Sequence, residues 1–270
     1  MPETESTEVT GTEPQGWRKW AEKRDASVSA EHGVLALVGT HWLSEGPGEG
    51  IEGLPGLWAA DGTSVRLTAK ASDGLLIDGV PVEGERSLNP DLALDPTVVT
   101  LGARKLVPIM REGVLALRVY DPEADNRRTF EGIERFAYDP ELVVPARYES
   151  YVHGHVEQVM NADGRERGLA LAGDLVFELD GTEHRLAVGR DDEVLSIVFG
   201  DATNGPDTFG FRQLAVPAPE TGSSATVIDF NRAQLPPCAF SDHFICPVPP
   251  VGNRLPLAVT AGEKRRKDRS

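Results

Sequence analysis

The densest group of chemically capable side chains lies between residues 229 and 263, where Asp229, Asn231, Arg232, Cys238, His243, Cys246, Asn253, Arg254 and Glu263 share one proline-rich stretch. Three kinds of chemistry suit that set. Asn231, Arg232 and Asn253 can fix a small polar or anionic molecule by hydrogen bonding, with no reaction, which defines a ligand-binding β protein. Asp229 or Glu263 can instead serve as a general base while Arg232 or Asn231 stabilises developing negative charge, as a hydrolase requires. In the third reading Asp229, Asn231 and Arg232 satisfy the loop's own backbone, because irregular buried backbone must find partners. The chain would then be a structural or protein-interaction domain without a pocket.

The cysteines add options. Cys238, His243 and Cys246, with Glu263 or a further His as a fourth ligand, have the donor types of a zinc site, but seven residues separate the cysteines and no second pair follows. No metal is therefore assigned, and no cofactor is named. Two buried thiols or a loop-closing disulfide fit the same spacing. Cys238 could act as a nucleophile if His243 stood beside it to generate thiolate.

Outside this stretch, Trp42 follows His41 and precedes Glu45, a set able to line a pocket at a strand end. Arg118 and Asp121 flank Tyr120, placing a guanidinium beside an aromatic face that can receive a planar or anionic ligand. His153 and His155 alternate on an expected strand and so share one face, as metal ligands or as a plain polar surface. There is no Gly-x-Ser-x-Gly, phosphate loop, dinucleotide fingerprint or His-Glu-x-x-His.

These groups need a scaffold. Prolines 236, 237, 247, 249 and 250 remove backbone donors and force extended or turn geometry, so the C-terminal stretch is expected to be a stiff, shaped loop. Trp17, Trp20, Arg24 and Val28 recur at helical spacing, which predicts one amphipathic helix over residues 15–32, closed by Gly33. Thereafter short alternating runs are punctuated by Asp-Gly pairs at 61, 73, 78, 163 and 180, each a hairpin signal. With 28 glycines and 20 prolines, the pattern predicts a mainly β protein, an antiparallel sandwich or partly closed barrel carrying one N-terminal helix. Two β subdomains are expected, residues 33–110 and 111–263, flanked by a disordered leader (1–14) and a basic, disordered tail (264–270).

The formal net charge of -16 repels phosphate backbones and argues against nucleic-acid binding. No segment has the run of ~18 to 20 apolar residues that a spanning helix needs, and Met1 to Glu13 has neither a basic nor an apolar signal region. The expected location is the cytoplasm, which favours reduced thiols.

The run from Asp229 to Glu263 resembles the C-terminal signature of the domain of unknown function 1684 family. Looser similarity extends to Val38–Gly46, Leu117–Pro122, Phe130–Ile133 with Phe136, and Phe199–Gly205, and so covers most of the chain from Trp17 to Glu263. The chain departs from the family's form at Gly210-Phe211-Arg212, where Gly-Arg is usual. The resemblance implies a relative and carries no activity.

Overall fold

The computed structural model describes residues 13–161 and 164–269. The expected leader therefore lies almost wholly outside the described residues, as does Asp163. Helix α1 spans Gln15–Val28 and buries Trp17 and Val28, as the spacing predicts. It stops four residues short of the expected end, where the Ser29 amide donates to Asp25. Gly33 acts slightly later: the chain doubles back so tightly that a Cβ there would stand 2.6 Å from the Ser27 carbonyl oxygen.

The protein is mainly β and antiparallel. Its strands, numbered in chain order, form two large sheets and two small ones. The first large sheet runs β1 (Leu37–Trp42), β9 (Val114–Tyr120), β8 (Arg104–Arg111), β7 (Val99–Leu101), β4 (Leu75–Ile77) and β5 (Val80–Pro81). Against it lies a three-stranded sheet of β2 (Leu57–Asp61), β3 (Ser64–Ala69) and β6 (Gly84–Leu88). Alternation along β3 buries Val65, Leu67 and Ala69, which pack with Trp58, Leu88, Leu106 and Leu117 in one core.

The second large sheet runs β15 (Arg212–Pro217), β14 (Val194–Phe199), β13 (Thr182–Asp191), β12 (Glu166–Leu179), β11 (Val143–Met160) and β16 (Ala225–Asp229). It curls until its edges meet, with Thr226 Oγ1 on β16 donating to the Pro217 carbonyl on β15 at 2.7 Å. The barrel-like interior holds Leu175, Phe177, Leu186, Leu195, Phe199, Leu214 and Phe230. Between the sheets lie a short helix, α2 (Asp125–Thr129), and the pair β10 (Phe130–Arg135) and β17 (Glu263–Asp268).

Several turns follow from sequence. Asp78-Gly79 and Asp180-Gly181 take positive φ at both positions and join paired strands, the mirror-type turn that Asp-Gly favours. Asp73-Gly74 does not form a hairpin; it ends a 3-10 turn, with Gly74 in the left-handed region. The expected division at residues 110 and 111 falls at the turn of the β8–β9 hairpin, and β9 also pairs with β1, so the first sheet continues to Tyr120.

The basic tail is a correction. Glu263–Asp268 is a strand paired to β10, and its charges have partners. Lys264 Nζ meets Glu134 Oε1 at 2.6 Å, and Arg266 donates to the Phe240 carbonyl and to Asn126 Oδ1, both at 2.9 Å. Long cationic stems lie on protein while their heads bond at the rim, so a run without apolar residues still orders.

Candidate functional site

Most of the polar signature is structural wiring. Asp229 ends β16 and caps the next turn, accepting from the Asn231 amide at 3.1 Å and from Arg232 Nε at 3.0 Å. Asn231, 1% exposed, accepts from the Asp139 amide and donates to the Asp139 carbonyl, both at 2.8 Å. Its own carbonyl receives the Trp17 indole N–H at 2.9 Å, which fastens α1 to the barrel. Asn253 bridges two strands, accepting from the Ala187 amide at 2.8 Å and donating to the Ala187 and Val198 carbonyls at 2.8 and 3.0 Å. Each is a buried amide with its capacity spent.

Glu263 is fully buried. Its carboxylate accepts from the Leu235 amide at 2.7 Å, from Arg24 Nε at 3.1 Å and from Arg135 at 3.2 Å, so one charge ties α1, β10 and the loop after the barrel together. A second buried pair was not foreseen: Arg212 meets Asp201 Oδ2 at 2.7 Å with neither side chain exposed, and donates to the Val259 and Ala261 carbonyls. Burial pulls the Arg212 pKa down while Asp201 opposes that shift. Arg212 is thereby locked in the fold. Asp229 and Glu263 are thus both committed to structural partners.

Nor do the zinc-type donors gather. Cys238 and Cys246 are buried free thiols in an apolar cluster with Leu37, Phe211 and Phe244, whereas His243 is exposed. The Cys238 amide donates to Cys246 Sγ at 3.3 Å. The thiol pair's mutual hydrogen bond, aided by burial, pushes Cys238 up; the same bond, with the charges of Arg118 and Arg167 nearby, holds Cys246 below the usual thiol range against its burial. His41 faces His243, and burial first, then the second imidazole, lowers its pKa. Neither His153 nor His155 is buried; both stand exposed on β11.

What the proline-rich loop does contribute is a wall. It is pinned to both large sheets: Ser241 Oγ donates to the Leu37 carbonyl at 2.7 Å, Thr40 Oγ1 to the His243 carbonyl at 2.8 Å, and the Val248 amide to the Met160 carbonyl at 2.9 Å. The Arg118 guanidinium lies over Phe244 at 5.0 Å and steadies it from below. So held, Ile245 faces a half-enclosed cleft of about 160 Å³.

Trp42 and Val114 form the cleft's other apolar faces, and Arg111, Asn161 and Arg167 are its main polar ones. The Arg165 guanidinium lies 4.6 Å from the Trp42 ring centre. Hairpin register explains the polar side: Asn161 bonds to Arg165 and Val159 pairs with Arg167, so Asn161, Arg165 and Arg167 project from one face. Arg111 is held by Asp91 through bonds of 2.9 and 2.6 Å. Burial opposes ionisation of Asp91, yet the hydrogen bond and charge of Arg111, with the charge of Arg118, keep its carboxyl below the ordinary range. Asn161 Oδ1 is buried without a hydrogen-bond partner among the described residues, a state that costs about 1–3 kcal/mol in a folded protein.

Of the ten residues singled out from sequence, Trp42 lines this cleft; Arg118 and Cys246 lie just behind the wall, and Asp229, Asn231, Asn253 and Glu263 belong to the scaffold. Arg232 stays partly exposed on Asp229, His243 is on the surface, and Cys238 is packed inside. Arg111, Asn161 and Arg167 were missed, although Arg165 and Arg167 alternate beside a turn and so declare a common face.

A mainly antiparallel protein with one barrel-like sheet, braced by buried ion pairs and fronted by a cleft, is the class these features define. The chain belongs to the family described as Protein of unknown function (DUF1684), which matches residues 128–264. That span holds the Asp201–Arg212 pair, Glu263 and the loop wall, but not Trp42, Arg111 or Val114. A solution NMR structure of an uncharacterised protein from Haloarcula marismortui is similar at 31% identity, covering 51% of this chain and 77% of that one, with a TM-score of 0.42. No curated protein matches.

Proposed function

We propose that this protein binds a small polar molecule in the cleft between the β8–β9 hairpin, the β11–β12 hairpin and the proline-rich loop. The carrying observation is the composition of one half-enclosed space: Trp42, Val114 and Ile245 supply apolar walls, and guanidinium and amide groups stand among them. Sites for small ligands combine those two elements, apolar area for affinity and a few placed polar groups for orientation. The signature loop takes part as a wall, while its polar residues stabilise the fold.

The test compares intact mass under native and denaturing conditions for the wild type and for Val114→Arg, which fills the cleft from a strand end. A ligand-sized native excess in the wild type that the variant lacks supports the reading. Equal native and denatured masses, together with no thermal shift from a panel of ring-sized polar compounds, overturn it.

A further inference from the structure

The cleft also carries information about its occupant. Among the described residues, Asn161 Oδ1 is the one buried side-chain oxygen without a hydrogen-bond partner, and Asn161 is 8% exposed. An oxygen in that position requires a donor, which bare anions lack. Arg167 Nε, on the same face one rung along, is also buried without a hydrogen-bond partner. Its ion-pair partner Glu112 Oε1 stands at 3.6 Å, beyond hydrogen-bonding distance. Unpartnered Nε atoms occur at Arg118, Arg127, Arg135 and Arg212 too, none of which lines the cleft; Arg167 differs in lining it.

Charge and size narrow the choice. Arg111 is matched by Asp91 and Arg167 by Glu112, so those cations do not call for a multiply charged anion. The volume, about 160 Å³, suits a single ring, since a cavity of roughly 150 Å³ accepts benzene.

Resting on the binding reading above, we propose that the cleft takes a single-ring cyclic amide or imide, whose ring N–H donates to Asn161 Oδ1 and whose adjacent carbonyl accepts from Arg167 Nε. The ring body lies against Trp42, Val114 and Ile245. Such a ring offers both a donor for the Asn161 oxygen and an acceptor for the Arg167 Nε, which stand on one face of the hairpin.

The experiment is calorimetric titration of the full chain with uracil, a one-ring imide, and with benzoate, a planar anion of similar size without an N–H. Asn161→Leu and Arg167→Gln are titrated alongside, with circular dichroism confirming that each is folded. Uracil should bind, benzoate at least roughly tenfold more weakly, and each substitution should weaken uracil by roughly tenfold, the usual consequence of removing one buried partner. Benzoate binding as well as uracil, or uracil affinity unchanged in both variants, overturns the ligand class and leaves the cleft as a binding site. Failure of both compounds to bind also overturns the ligand class; the mass comparison then decides separately whether the cleft itself is a site. Arg167→Gln keeps the test decisive should Asn161→Leu not fold.

Discussion

Two polar regions of this molecule are built on opposite terms. Around Glu263, and again at Asp201 with Arg212, charges are withdrawn from water, and each carboxylate is met by several donors. At the cleft, Asn161 Oδ1 is withdrawn from water and met by no donor among the described residues. The first arrangement is what a fold needs, since a buried charge is tolerable only when paired. The second costs stability, since a buried acceptor without a donor keeps its desolvation penalty. Among buried side-chain oxygens, it is the lack of a donor that sets Asn161 apart from the carboxylates of the two clamps.

The contrast can be broken by substitution, beginning where the effect is greatest. Glu263→Gln should destabilise the protein by about 3 kcal/mol or more in urea unfolding, because Arg24 keeps its charge without a counter-charge and Arg135 is left with only the partly exposed Asp25. A loss under about 1 kcal/mol would mean that the clamp is dispensable. Asn161→Leu should move the other way, raising stability by about 1 kcal/mol as an unpaired acceptor is replaced by apolar surface of similar size. Destabilisation there would place Asn161 with the wiring.

Asp91→Asn tests an intermediate case, a paired carboxylate at the cleft's edge. The Asp91 pKa is lowered in the folded state, so its contribution is complete above its ordinary value of 3.8 and is lost as pH falls through the folded value. The variant should be weaker by roughly 0.5–1 kcal/mol at neutral pH, a modest effect because the pair is partly solvated. The gap between the two proteins should close in acid; a gap that persists there would show that charge is not its source. The smallest change is a titration. Burial and His243 lower the His41 pKa, so His243→Ala should raise it towards 6.5 in an NMR titration, while an unmoved value would show that the two rings do not interact.

How legible all this was depended on the range of the interactions. Trp17, Trp20 and Val28 announce α1 because helical spacing is local, and Asp78-Gly79 and Asp180-Gly181 announce their hairpins because positive φ at both positions is a local demand. The alternation of short strands likewise foretold a partly closed antiparallel sheet. The strand at 263–268 was hidden, because Lys264 and Arg266 read as solvated charges until Glu134, Phe240 and Asn126 are seen beside them. The cleft was hidden for the same reason. Asn161 and Arg167 sit at an ordinary turn, and only the folded chain brings Trp42 and Val114 opposite them. The polar signature, by contrast, was conspicuous in sequence because holding an irregular loop takes many hydrogen bonds.

The clamp at Glu263 joins residues 239 apart in the chain through Arg24. Closing so long a loop is entropically expensive, and contacts of that separation form after shorter ones have condensed. The barrel hairpins can therefore assemble first, with the clamp added past the rate-limiting barrier. Substitutions at Glu263 should then quicken unfolding and leave the refolding rate nearly untouched. On that account the clamp is a latch, and what it governs is how long a finished molecule lasts between openings.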